Sequence, residues 1–152
     1  MSKALDVAKF LLELAEREDE PDRLSHLRLQ KLLYYTQGWS LALRDKALFK
    51  DRIEAWAHGP VVKKLYPHFA SYGNGTIPSP DFKFSDGLDA EEQELVESVW
   101  DAYKKFSATS LREMSHREKP WKDARGTLKP ADKCEEEITH AVMKKFFKSL
   151  AK

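Results

Sequence analysis

The chain has 152 residues, enough for one domain with a proper core, and carries 26 basic against 25 acidic side chains for a net charge of +1. That balance argues against a generic polyanion binder, whose affinity rests on neutralising phosphates. The single cysteine, Cys134, excludes an internal disulfide and fits a reducing cytoplasm, and no apolar run approaches the roughly 18 residues that a membrane span needs.

Ala4, Val7, Ala8, Leu11, Leu14 and Ala15 recur at helical spacing. The amino terminus therefore reads as an amphipathic helix capped by Ser2; acids inside its apolar pattern argue against a signal peptide. Pro21, in the charged stretch 16–23, ends it. Ser25 caps a second helix running to Leu43. Leu29, Leu32, Leu33, Thr36, Ser40 and Leu43 mark one face, and Leu27, Tyr34, Tyr35, Trp39 and Leu41 widen the apolar arc. A helix apolar on most sides is expected to be central. Gly38 is a weak point in it, costing about 1 kcal/mol relative to alanine. From Ala47 to Ala57 the helical period lapses. Ile53, Ala55 and Ala57 alternate with Glu54, Trp56 and His58, as in a short strand or extended arm. Gly59-Pro60 stops the arm, and the preference of proline for a first helical turn predicts a third helix from Pro60 to about Tyr72. Gly73-Asn74-Gly75 and Pro78-Ser79-Pro80 are loop punctuation.

Asp89 caps a fourth helix, Ala90 to Phe106, with Leu95, Val96, Val99, Trp100 and Tyr103 facing inward. Charge is segregated here: residues 81–101 hold eight acids against Lys83 alone, and residues 102–152 hold thirteen bases against seven acids. Such segregation reads first as solvated helix face and second as a means of steering a charged partner. Thr109 begins a short helix, Ser110 to Arg117, and Pro120-Trp121 starts another turn reaching Arg125. Gly126 to Glu136 is loop, and Thr139 caps a last helix through Leu150 whose lysines 144, 145 and 148 form a solvated face. The sum is a mainly α single domain over residues 1–152. It is a compact bundle of five to six helices with at most a short β element near residues 48–58.

No catalytic grouping emerges. The histidines at 26, 58, 68, 116 and 140 lack the i,i+4 pairing or cysteine partner of a zinc site. There is no G-x-S-x-G elbow, and Gly73 to Gly75 lacks the Lys-Ser/Thr of a phosphate loop. No enzyme, metal or cofactor is expected. Two aromatic-rich blocks, LRLQKLLYYTQGWSLAL (27–43) and IEAWAHGPVVKKLY (53–66), point instead to recognition. Each leaves two readings open. The leucines are core, whereas Gln30, Lys31, Tyr34 and Trp39 either pack or contact a partner. Trp56-Ala57-His58-Gly59-Pro60 is either a turn, with His58 bonded to the chain, or an arm that docks by strand addition. Arg125 either pairs with an internal carboxylate or meets a partner.

The same blocks resemble the Panacea domain, also described as the SocA-like or phage-associated domain of toxin–antitoxin systems. Its LQKLLYY helix stands at Leu29–Tyr35, the following Trp at Trp39, the I-E-A-W arm at Ile53–Trp56, G-P-V at Gly59–Val61 and the helix tyrosine at Tyr66. PWKDARG (Pro120–Gly126) and the closing EITHAVMKKFF are similar too, so the likeness runs from Ala4 to Phe147. It implies a stand-alone cytoplasmic antitoxin that binds and neutralises a cognate toxin protein encoded by an adjacent gene. Partner-binding positions are then Gln30, Lys31, Tyr34, Tyr35, Trp39, Trp56, His58, Gly59, Pro60, Tyr66 and Arg125. Relatives offer two alternatives, an adaptor presenting the toxin to a protease complex and a DNA-binding regulator of the operon. A helix-turn-helix over Ser25–Leu43 would have only Arg28, Lys31 and Arg44 as bases, so nucleic acid is not the expected partner.

Overall fold

A computed structural model describes residues 3–18, 23–73, 75–78 and 87–151. The expected cap Ser2, the break at Pro21, Asn74 and Ser79-Pro80 lie outside the described residues, as do Asp81, Lys83 and Asp86 of the acidic stretch. The elements in chain order are α1 (Lys3–Glu16), β1 (Leu24–Ser25), α2 (His26–Arg44), β2 (Ile53–Trp56), β3 (Gly59–Val62), α3 (Tyr66–Phe69), β4 (Thr76–Ile77), α4 (Ala90–Tyr103), α5 (Ala108–Arg117), α6 (Lys119–Arg125), β5 (Glu137–Ile138) and α7 (His140–Leu150). Single 3-10 turns, Lys63–Leu65 and Ala70–Tyr72, flank α3. The fold is mainly α, as expected. Among the described residues, seven helices and two small antiparallel sheets, β1-β4 and β3-β2-β5, exceed the five to six helices and lone β element read from the sequence.

Helix α2 is the hub. It packs against α7, α4, α5, α1 and β3, and is buried on nearly every side. Ser25 caps it as expected, accepting from the Arg28 N–H at 3.2 Å. It ends at Asp45, whose left-handed φ of 59° stops the helix. Gly38 is not a weak point but a contact requirement. A Cβ there would collide with Cε2 and Cδ2 of Phe147 and stand 2.7 Å from its Cζ. Only glycine lets α7 come that close. The helix is also continuous through Gly38, so the turn that a helix-turn-helix needs between Ser25 and Leu43 does not exist.

The third helix expected from Pro60 is replaced by strand β3, which forms a two-residue hairpin with β2 through Ala57-His58. Three local causes act together. Gly59 at φ 111° makes the tight turn, Val61 and Val62 favour extended backbone, and β3 is a sheet edge, where proline's missing N–H leaves no rung unpaired. Helix appears only at Tyr66 and lasts one turn.

Other ends shift modestly. Asp89 and Glu92 form a reciprocal capping box on α4, which stops at Tyr103, short of Phe106. Helix α5 starts at Ala108 because the Ser107 hydroxyl, not Thr109, takes the Ser110 N–H at 3.1 Å. Thr139 caps α7. Lys144 is not merely solvated: it pairs with Asp45 at the end of α2. No described helix is long and apolar enough to cross a membrane.

Candidate functional site: a wired hairpin and an open apolar groove

The residues singled out in the sequence fall into three places. The first surrounds the β2–β3 hairpin. Gln30 on α2 acts as an extra strand rung: its Oε1 accepts from Val62 N at 2.8 Å and its Nε2 reaches Val62 O at 3.4 Å. Lys31 is wholly buried, and its Nζ donates to Pro60 O at 2.8 Å. Desolvation, with Arg112 nearby, pushes its pKa down to about 7. Gly59 closes over it, since a Cβ at that position would meet Lys31 Cε at 2.6 Å. Gly59 and Pro60 are buried, whereas His58 stands exposed at the turn rather than tucked against the chain. His58 borders two cavities. One of about 160 Å³ is shared with His26, Gln30, Lys31 and Tyr66. The other, of about 600 Å³, is shared with Trp56, Lys63 and Lys133, and there Glu135 pairs with both lysines. Tyr66 stacks obliquely between Trp56 (4.9 Å) and His26 (4.7 Å), so Trp56 and Tyr66 present one partly exposed aromatic edge.

The second place is the joint between α5 and α6. Tyr34 and Tyr35, fully buried, donate to the two oxygens of Glu118 at 3.0 and 3.2 Å. Burial raises the Glu118 pKa to about 7 and drives both phenols well above their ordinary value. Glu118 had no signal in the sequence, because nothing local tells a helix-joint acid from a solvated one.

Arg125 belongs to the hairpin's back wall. The expected carboxylate partner is absent among the described residues; its guanidinium instead donates to the carbonyls of Ala55 (2.9 Å), Lys129 (2.7 Å), Pro130 and Asp132. It rests over Trp121 at 4.8 Å, and Trp121 Nε1 donates to Trp56 O at 2.8 Å. A forked donor suits a loop whose carbonyls converge on one point. Arg125→Ala is expected to destabilise by about 2–4 kcal/mol, since it leaves the buried Ala55 carbonyl unmatched, unties the loop carbonyls of Lys129, Pro130 and Asp132, and strips the packing over Trp121. Hydrogen exchange should show the loss concentrated in 126–136; protection there equal to the native chain would contradict this.

The third place holds Trp39 alone among the expected residues. Its Nε1 donates to Tyr103 Oη at 2.9 Å and its ring meets Phe147 edge-on at 5.3 Å. The outer face of the indole lines a groove of about 390 Å³ with Leu43, Leu95, Val99, Tyr103, Phe106 and Met114. Leu43 is 62% exposed. An apolar groove lined by three helices and open to solvent is a feature that monomeric surfaces rarely carry without use. In the sequence Phe106 reads only as a helix end and Met114 carries no signal, since their convergence with Trp39 depends on how α4 and α5 pack on α2.

A helical hub is thus wired through its polar signature to a β-hairpin, and comparison with known proteins places the chain in a family. The family described as "Antitoxin SocA-like, Panacea domain" matches residues 29–122, and the chain belongs to that family. It is similar to Antitoxin SocA of Caulobacter vibrioides (strain NA1000 / CB15N), with 32% identity over 120 residues. That match covers 72% of this chain and 63% of the relative's length. No solved structure matches the chain.

Proposed function

We propose that this protein is a non-catalytic antitoxin that acts in the cytoplasm by binding a toxin protein directly, the toxin being encoded by an adjacent gene. The observation that carries the reading is the open groove at Trp39 and Leu43 on a chain of an antitoxin family. The polar residues of the signature are occupied inside the fold, which leaves two surfaces for a partner. One is the groove; the other is the exposed edge of Trp56, His58 and Tyr66 beside the hairpin. In this reading Gln30, Lys31, Tyr34, Tyr35, Gly59, Pro60 and Arg125 serve recognition by holding those surfaces in place, and Trp39, Trp56, His58 and Tyr66 touch the toxin. Trp39, fixed by Tyr103 Oη, and Trp56, whose Nε1 donates to Glu54 Oε1, suit that role, because little rotamer freedom is lost on binding.

The test is co-expression with each neighbouring gene product, scoring host growth and co-purification together. Growth rescue with a stable binary complex is the expected result. Rescue without a complex would replace direct neutralisation by the protease-adaptor route, and rescue that depends on the upstream DNA would favour operon control.

A further inference from the structure

Helix α4, the outer wall of the groove, reads AEEQELVESVWDAY and contains five acids and no base. Glu92 is turned inward to the capping box and to Lys3. The remaining four, Glu91, Glu94, Glu97 and Asp101, are exposed. At 100° per residue, Glu94 and Asp101 lie on one edge of the helix beside Ser98, itself a groove residue, while Leu95, Val99 and Ala102 face the groove. Glu91 is held by Arg44 at 2.8 Å and Asp101 by Lys104 at 3.5 Å, but both acids remain largely in solvent. An apolar trough therefore runs alongside an acidic rail. Lys105 lies over the Phe106 ring at 5.3 Å and gives one end of the trough the opposite charge.

We infer that the groove takes an amphipathic helix of the partner protein, with large apolar side chains in the trough and lysines or arginines along the edge that faces α4. The inference rests on the antitoxin reading for the identity of the partner, though not for the chemistry of the site. Helix-in-groove recognition needs apolar anchors at i, i+3/i+4 and i+7, and the trough is bounded by helices on both sides in the way such anchors require. The rail then supplies steering and orientation more than affinity, as exposed charges do, and its contribution falls with salt. It also gives a purpose to the acidic segment that the sequence sets apart. Lys105 fixes direction, since a base on the partner helix is disfavoured at that end.

The probe is a fluorescein-labelled helical peptide with leucines at i, i+3, i+4 and i+7 and lysines on the flanking edge. Its twin carries glutamates in place of the lysines. Binding to the full chain is read by anisotropy and located by amide chemical-shift changes. The lysine peptide is expected to bind at least tenfold more tightly than its twin, with shifts confined to 39–43, 95–106 and 114. Leu43→Glu, at an exposed position that leaves the core intact, is expected to weaken binding tenfold or more. The pair Glu94→Lys and Asp101→Lys is expected to reverse the preference between the peptides. Equal affinity for both peptides, shifts outside the groove, or Leu43→Glu binding as the native chain would each overturn the proposal. Concentration-dependent self-association abolished by Leu43→Glu would overturn it too, by making a second copy the occupant. Neutralisation is scored separately. Peptide binding by a chain that neutralises no neighbour sinks the antitoxin reading and leaves the groove standing, whereas full neutralisation by Leu43→Glu removes the groove as the toxin face.

Discussion

Gly38→Ala is expected to destabilise this protein by about 2 kcal/mol, the reverse of what helix propensity alone gives. Alanine in a helix interior is favoured over glycine by about 1 kcal/mol. Here the added methyl lands on the Phe147 ring. That ring cannot retreat: it is fully buried and boxed by Tyr34 at 5.5 Å, Tyr35 at 5.9 Å, Trp39 at 5.3 Å and Phe146 at 5.1 Å. Overpacking a filled core costs about 1–3 kcal/mol and more when several rings must shift. Thermal unfolding should register a fall of several degrees, at about 2–4 °C per kcal/mol for a chain of this size. Valine should cost more than alanine. Combining Gly38→Ala with Phe147→Leu should recover part of the loss, because the smaller side chain vacates the contested space. A rise in melting temperature for Gly38→Ala would show that α7 does not approach α2 as described.

Lys31 produces the second large effect, and it appears as a pH dependence. Its amine is buried against Pro60 O, and no carboxylate pairs with it among the described residues. The unfolded chain holds this proton up to about pH 10.5, the folded chain only up to about 7. Between those values unfolding takes up a proton, so folding stability rises with pH, by at most about 1.4 kcal/mol per unit. Below about 7 that gain is absent, because both states carry the charge. The neighbouring imidazoles do not confuse the window. Burial, with cations beside them, holds His26 and His116 at about 4, so both stay neutral in the fold throughout. Urea unfolding of the native chain and Lys31→Met from pH 7 to 10 should give stability curves that diverge, with the native chain gaining relative to methionine by a few kcal/mol. Parallel curves would mean that the amine keeps its proton in the fold.

The helices were legible because their signals are local. Ser25, Asp89 and Thr139 each stand at a cap, and each accepts the N–H three residues on. The centrality of α2 followed from its apolar residues lying on most sides. What failed was the segment after Gly59. Gly59-Pro60 ahead of KKLYPHF carries helix-start chemistry, but Val61-Val62 between them pair with β2, and the Gln30 side chain on Val62 holds that backbone extended. The hairpin itself has local signals in Gly59 and Val61-Val62, whereas the Gln30 contact comes from 32 residues away and has no local trace. The same limit governs the site. Gln30, Lys31, Tyr34 and Tyr35 stood out as polar or aromatic residues on an apolar helix, and such residues can serve recognition or internal wiring alike. Their partners, Val62, Pro60 and Glu118, lie 29 to 84 residues away. Likewise the groove joins Trp39 and Leu43 of α2 to Phe106 and Met114, which share no motif with them, whereas the acidic wall beside it is visible as a run of charge.

In the proposed reading this chain neutralises a toxin by holding it. The most direct test is titration calorimetry of the purified chain against the purified product of the toxic neighbouring gene. A stoichiometric complex is expected, with a Kd of about 1 µM or tighter that weakens at least tenfold for Trp39→Ala in a chain whose circular dichroism is unchanged. No heat of binding, alongside rescue of growth in cells, would contradict direct neutralisation and move the activity to a route that needs a third component.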